Sequence, residues 1–489
     1  MVKKFQKRII SRLDIKGSRL IKGIRFEGLR VIGNPCDFAK NYYKEGIDEI
    51  FYTDAVASLY GRNSLDNILK ETCESIFVPI TAGGAINSID DAYLLLRAGA
   101  DKIAINTNAV KNPDLITTLA NRFGQQCIVL SIQARRSLKM TSGWEIMIEA
   151  GRELTGIDLQ DWIEKAQKLG IGEIFLTSVD QDGANKGPDR ELINLANKIV
   201  TKPLIVGGGF NSLTSIKEAL SFESVSGVAI GYALHYDKIK LSEIKQKINS
   251  ENIRLRNEVS SKSSINKTRV CRQIAVVDYG MGNQQSLINA LNLLGHKVVL
   301  TDSNNILKDS EIAILPGVGS FPAGINELEK RGLREVLLER HQNNKALIGI
   351  CLGMQLLFEE SEEFEKKYGL GIFKGKVKNL KAHKVYDAQE KENINTIKLP
   401  HVGWNSLNHD FGNSSFIDKK DINNKFFYFV HSFGVEEVIN ADFVFSTNYY
   451  FRNPVAICGL KRTVGYQFHP ERSGQAGLNI LSKTIDNFI

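Results

Sequence analysis

The 489-residue chain predicts two α/β domains in tandem, a (β/α)8 barrel followed by an open α/β domain. Three observations predict it. Eight short apolar strands alternate with amphipathic helical stretches over about 250 residues, which is the barrel period. The same half repeats itself: Pro79-Ile-Thr-Ala-Gly-Gly-Ala-Ile86 matches Pro203-Leu-Ile-Val-Gly-Gly-Gly-Phe210, and Glu49-Ile-Phe-Tyr-Thr53 matches Glu173-Ile-Phe-Leu-Thr177, both 124 residues apart. A two-fold repeat favours a barrel closed from two half-barrels over an open doubly wound sheet. Finally, a polar, Ser/Lys-rich, aperiodic stretch at 255–272 precedes a fresh strand, Ile274-Ala-Val-Val-Asp278, and reads as a linker.

Taken in order, strands are expected at 8–14, 49–54, 77–81, 102–106, 127–133, 173–178, 203–207 and 227–231. They fill a barrel domain at 1–254. The linker at 255–272 spans roughly 25 Å as a flexible coil, and a second domain occupies 273–489. In that domain, strands near 274–278, 297–301, 312–315 and 346–350 alternate with helices, and 396–470 is richer in strands. After the apolar run Ala346-Leu347-Ile348 comes Gly349-Ile-Cys-Leu-Gly353, then Met354-Gln355-Leu356-Leu357-Phe358. That is a strand, a tight turn and a helix, with Cys351 at the turn. Small flanking residues let the backbone turn sharply and expose the sulfur at a helix start, where the thiolate is favoured. Downstream, Gln467-Phe-His-Pro-Glu471 offers His469 as a base and Glu471 to orient its imidazole. A buried structural cysteine or a core histidine is the ordinary reading of either residue alone, but the combination points to a nucleophile and its base.

Composition bounds the rest. Hydrophobic content of 43% and charged content of 24% are those of a soluble globular protein. The formal charge of +8 is scattered along the chain, which suits phosphorylated substrates better than nucleic acid. Six cysteines (36, 73, 127, 271, 351 and 458) show no paired spacing, arguing for a reducing compartment and against a disulfide framework or a cysteine zinc site. Lys3, Lys4, Lys7 and Arg8 precede a stretch broken by Arg12 and Asp14, unlike a signal peptide. No run approaches the roughly 20 apolar residues of a membrane span. A cytoplasmic enzyme without metal or cofactor, and without nucleic-acid or membrane partners, is expected.

The second half closely resembles the glutaminase subunit of imidazole glycerol phosphate synthase, a class I glutamine amidotransferase. The resemblance rests on Asp278-Tyr-Gly-Met-Gly-Asn283, Leu315-Pro-Gly-Val-Gly-Ser320, Gly349-Ile-Cys-Leu-Gly-Met-Gln355, Pro400-His-Val-Gly-Trp-Asn405, Phe429-Val-His-Ser432 and Gly465-Tyr-Gln-Phe-His-Pro-Glu-Arg-Ser473. It implies that Cys351 attacks the side-chain amide of L-glutamine, with His469 moving the proton and Glu471 orienting it. The oxyanion needs backbone donors, and Gly317, Gly319 and the amide of Leu352 are the candidates. The resemblance also implies that Gln355 helps to hold glutamine. His401 and His431 read as interface or structural residues.

The first half resembles the cyclase subunit of the same enzyme, through Lys7-Arg-Ile-Ile10, Leu13-Asp14, Val78-Pro-Ile-Thr81, Ala98-Gly-Ala-Asp-Lys102, Ile105-Asn-Thr107, Phe123-Gly124 and Leu176-Thr-Ser178. Chemistry in such barrels sits at the C-terminal strand ends. There Asp14, ending the first strand, is a candidate catalytic group, and Asp182, following the sixth, and Lys22 match the family and are candidates for binding the substrate. Gly83, Gly84, Asn106, Thr107, Gly208 and Gly209 are candidates for two phosphate cradles. Arg8, Glu49, Lys102 and Glu173 precede strands one, two, four and six, where the resemblance implies a charged ring gating ammonia from the glutaminase.

Departures cluster at the barrel mouth. Where the family has a second aspartate, after strand five, this chain has Gln133, and an amide cannot exchange a proton as a carboxylate can. Ala85 stands where Gly is usual, Gly207 where Ser is frequent, and Tyr232 where a small or hydroxyl residue is expected. Three readings follow. The first is a fused synthase channelling ammonia to a phosphorylated aminoimidazole-carboxamide ribulosyl nucleotide, giving imidazole glycerol phosphate. The second is an ammonia supply for a partner enzyme that amidinates a bacterial surface-polysaccharide sugar. The third is a non-catalytic barrel scaffolding a glutaminase.

Overall fold

A computed structural model describes residues 6–57, 65–249, 253–257, 270–381, 397–412, 414 and 417–488. The chain forms two compact units that divide near Ser260.

The first unit is a closed barrel of eight parallel strands: β1 (Gln6–Lys16), β2 (Glu49–Asp54), β3 (Ile80–Gly83), β4 (Lys102–Ile105), β5 (Ile128–Arg136), β6 (Glu173–Ser178), β7 (Leu204–Gly207) and β8 (Val225–Ile230). Each pairs with the next, and β8 closes on β1. The strands are rich in Ile, Val and Phe and nearly all buried, as expected where helices cover a parallel sheet. The two-fold repeat appears as register. Asp14 lies beside Thr53, and Gln133 lies beside Thr177. The neighbours Gly83 and Gly207 then match in turn.

Three details differ from expectation. β3 starts at Ile80 rather than residue 77, because Pro79 has no N–H to give a ladder and contributes only its carbonyl, accepting from Ile50 N at 3.0 Å. Antiparallel hairpins follow both repeat-related strands, Arg19–Ile24 with Glu27–Gly33 after β1, and Trp144–Ile148 with Glu153–Asp158 after β5. The barrel also runs on past residue 254: Leu255 pairs with Lys7, and buried Arg256 bonds Asp48 at 2.9 Å. Most of the expected linker, 258–269, lies outside the described residues.

The second unit is built on an eight-stranded sheet. Its strands are β9 (Gln273–Val277), β10 (Lys297–Thr301), β11 (Ile312–Leu315), β12 (Ala346–Ile350), β13 (Leu407–Phe411), β14 (Phe443–Thr447), β15 (Val455–Leu460) and β16 (Thr463–Tyr466), in the order β10-β9-β11-β12-β16-β15-β14-β13. The five strands from β10 to β16 run parallel, and the rest are antiparallel. Alternate residues feed two apolar clusters, such as Ile274, Ile314 and Ile348 in one and Ala275, Leu315 and Leu347 in the other. β12 ends at Ile350, and Cys351 follows it directly at the start of the next helix. Among the described residues no helix is long and apolar enough to cross a membrane.

Candidate active site

In the second unit, β12 and β16 are parallel neighbours, with Ile350 beside Tyr466. Residues 118 positions apart in sequence, Cys351 and His469, therefore leave the sheet side by side. Cys351 sits at φ 54° and ψ −109°, a backbone state that costs a side-chain-bearing residue about 1–3 kcal/mol. Its surroundings impose it. The Cys351 N–H donates to the Tyr466 carbonyl at 2.6 Å. A Cβ on Gly353 would run into the Leu315 carbonyl, and one on Gly349 into the Met354 amide. The short helix Leu352–Leu356 then begins at the sulfur.

His469 and Glu471 lie within hydrogen-bonding distance, Nδ1 to Oε1 at 2.7 Å, and both are buried. Burial opposes a charged imidazole, but the charges of Cys351 and Glu471 outweigh it and hold His469 well above its ordinary pKa. The carboxylate thus orients the ring, whose Nε2 is buried and makes no hydrogen bond among the described residues, and Cys351 is near enough for its charge to act on the imidazole. Two groups not singled out in the sequence also reach Cys351 Sγ: Gln467 Nε2 at 3.8 Å and the Val430 carbonyl at 3.9 Å. Gln355 Nε2 donates to Gln467 Oε1 at 3.1 Å and to the Phe433 carbonyl at 2.9 Å. The Q-x-H spacing was a usable signal for Gln467, because residues before a site histidine on one strand end face one pocket.

The expected oxyanion donors are not assembled. The Leu352 N–H donates to the Gly317 carbonyl at 3.3 Å, so the loop turns an oxygen toward the elbow, where donors are needed. Gly317 and Gly319 flank Val318 in that loop. Tyr279, buried with its hydroxyl donating to the Pro316 carbonyl at 2.6 Å, anchors the start of that loop. His401 and His431 are buried and hydrogen-bonded to each other at 3.1 Å, and Asn405 joins His401 at 2.8 Å. Burial lowers both histidines, His431 to about 4, so they form a neutral structural pair.

In the barrel, the C-terminal strand ends gather a quartet of charges. Asp14 accepts from Arg12 Nε at 2.8 Å and from Lys22 Nζ at 3.1 Å. Lys22 also reaches Asp182 at 3.1 Å, and Arg12 Nη1 reaches it at 3.5 Å. Burial alone would raise Asp14, yet Arg12 and Lys22 bring it down to about 2. Gly83, Gly84, Asn106, Thr107 and Gln133 line one cavity open to solvent. Asp182, Gly208, Gly209 and Tyr232 line a second. Lys22 lines neither. One departure has a local cause, since a Cβ on Gly207 would press on the Phe175 ring. Ala85, by contrast, takes φ 45°, a backbone state that favours the usual glycine.

At the opposite strand ends the four expected charges close a ring. Arg8 pairs with Glu49 at 2.8 Å and with Glu173, and Lys102 pairs with Glu49 at 2.8 Å and with Glu173 at 2.6 Å. All four side chains are fully buried. Above the ring lies an apolar layer of Ile10, Phe51, Ala104, Val129, Phe175, Ile205 and Ala229.

Comparison with known proteins agrees with both units. A family described as histidine biosynthesis protein matches residues 8–240, and glutamine amidotransferase class-I matches residues 275–487. The imidazole glycerol phosphate synthase subunit HisF of Legionella pneumophila is 55% identical over 206 residues, 42% of this chain and 96% of that protein. The subunit of the same name from Wolinella succinogenes is 43% identical over 251 residues, 51% of this chain and 98% of the relative. That from Mycobacteroides abscessus is 40% identical over 253 residues, again 51% and 98%.

Proposed function

Because this chain belongs to the imidazole glycerol phosphate synthase HisF family through its barrel, and carries a class-I glutamine amidotransferase domain after it, we propose that it hydrolyses glutamine at Cys351 and delivers the ammonia to a phosphorylated acceptor at the barrel mouth. The observation that carries this reading is the placing of Cys351, on a strained elbow, beside the His469–Glu471 pair from the neighbouring parallel strand.

The chemistry follows from those positions. Cys351 sulfur attacks the side-chain amide carbon of glutamine, and the C=O electrons move to oxygen. Turning the Gly317–Val318 peptide supplies an N–H to that oxygen beside the amide of Leu352. His469 gives its proton to the amide nitrogen, the C–N bond breaks, and ammonia leaves a glutamyl thioester. Water, deprotonated by the now neutral His469, attacks the thioester and releases glutamate, restoring the thiolate and the protonated ring. Glu471 keeps Nε2 directed at these atoms throughout. In the barrel, the Arg8–Glu49–Lys102–Glu173 ring acts as a gate. Its charges are mutually satisfied, so a neutral ammonia molecule passes at less cost than an ion.

Two acceptors are to be distinguished. The family's own is the phosphoribulosyl aminoimidazole-carboxamide nucleotide, cleaved by ammonia to imidazole glycerol phosphate. A specific observation favours another: Gln133 replaces one carboxylate, and both oxygens of Asp14 are already taken by cations. Losing one acid–base group costs roughly 10²–10⁴-fold, which favours ammonia supply to a different phosphorylated acceptor, such as a sugar being amidinated with a partner enzyme. Turnover of the family substrate by the wild-type chain with saturating ammonium decides between them. Robust turnover establishes the histidine-pathway reaction. None, alongside active glutamine hydrolysis, rules out the histidine-pathway reaction and favours the diverted supply.

A further inference from the structure

Along β1 the side chains that face the barrel interior are Arg8, Ile10, Arg12 and Asp14: a cation in the basal ring, an apolar lining residue, then a cation and a carboxylate at the mouth. Arg12 has no part in the reaction described so far. It is 4% exposed, lies over the Phe26 ring at 5.0 Å and the Phe175 ring at 5.7 Å, and is the one residue common to the described linings of both mouth cavities.

We propose that Arg12 is the specificity-determining residue of the barrel: it fixes Asp14 as a permanent counter-ion, so the mouth holds an anionic acceptor for ammonia without lending it a proton-transferring carboxylate. This deepens the diverted-supply reading and rests on it.

The geometry argues in two steps. The groups facing Asp14 are Arg12 on its own strand, Lys22 on the first hairpin and, through those cations, Asp182 after β6. His235, after β8, holds the Arg12 carbonyl at 2.9 Å and the Tyr42 hydroxyl at 2.7 Å, and burial lowers it to about 4, so it stays neutral. To accept a proton, Asp14 must lose a contact to one of two cations. Arg12 cannot be deprotonated to allow it. Gln133, the repeat-related residue across the mouth, cannot substitute. The second step concerns what Arg12 offers. Its Nε and Nη1 meet the two aspartates, and among the described residues Nη2 makes no hydrogen bond. A guanidinium held on aromatic faces between two cavities presents that edge to an anionic oxygen, carboxylate or phosphate.

The test combines a titration with a gain of activity. Asp14 is followed by carboxyl carbon NMR in wild type, Arg12→Met and Arg12→Lys, each first shown to be folded by its melting curve. Ammonium-driven turnover of the family substrate is measured in wild type, Gln133→Asp and Arg12→Met/Gln133→Asp. Asp14 is expected near 2 in wild type and in Arg12→Lys, and about 1–3 units higher in Arg12→Met. Wild type and Gln133→Asp should remain at background, with the double variant about 10²-fold faster. The proposal is overturned if Asp14 does not move in Arg12→Met, if Gln133→Asp alone matches the double variant, or if the double variant stays at background although Asp14 has moved. Robust turnover by wild type is a separate result, since it removes the diverted-supply reading before any variant is compared.

Discussion

Cys351 and Glu363 show how single residues store the work of the glutaminase site. Cys351 is held in a left-handed backbone state by the glycines around it and by the Tyr466 carbonyl. Glu363 caps the helix Phe321–Lys330, which follows the Gly317–Gly319 loop, accepting from Phe321 N at 2.7 Å. Burial pushes its carboxyl up from 4.5 to about 7. A carboxyl raised in this way binds its proton more tightly folded than unfolded. The stability it contributes is therefore complete below pH 4.5 and is lost as pH rises through 7. Denaturant unfolding at pH 5 and pH 8 should show a loss of about 2.5 kcal/mol in wild type that Glu363→Gln largely abolishes. Equal pH dependence in the two proteins would contradict this. Cys351, His469 and Glu471 were legible in the sequence because their motifs are local. Glu363 was not, since its partner lies 42 residues away and only folding buries it. Arg12 was readable in principle: with Arg8 and Asp14 facing inward, period two along β1 places Arg12 inward as well.

At the scale of elements, the barrel strands followed from apolar runs and from the repeat, while the two hairpins escaped. The first hairpin turns through Arg25 and Phe26, at φ 53° and 64°, without the Asn-Gly or Asp-Gly pair that usually signals such a turn. Tertiary contact replaces the signal, because Arg25 N donates to the Asp182 carbonyl at 2.7 Å. That bond places the hairpin, and with it Lys22, at the mouth. The basal ring was legible as four charged strand starts, but its closure depends on the barrel register. Breaking it should be costly. Lys102→Met leaves Glu49 and Glu173 facing one cation in a dry interior, a loss of about 3–5 kcal/mol. The shift in denaturant midpoint measures it, and a change under about 1 kcal/mol would show that the ring is not a buried ion network.

On the scale of the whole molecule, the two halves of the barrel preserve each other's positions but no longer each other's chemistry. Asp14 and Gln133 occupy equivalent sites in register, and one is a carboxylate pinned by two cations while the other is an amide. The second unit brings Cys351 beside the His469–Glu471 pair. The proposal of a diverted supply rests on that contrast, a proposed ammonia source whose residues are all present set against a barrel mouth where Gln133 stands in place of a carboxylate. The central claim, covalent glutamine hydrolysis at Cys351, is tested most directly by acid-quenching the enzyme during turnover of labelled glutamine and mapping the labelled peptide. A glutamyl thioester is expected on the peptide carrying Cys351, with no label and no glutamate release in Cys351→Ser. Glutamate release that persists in Cys351→Ser, or label on a different residue, would contradict it.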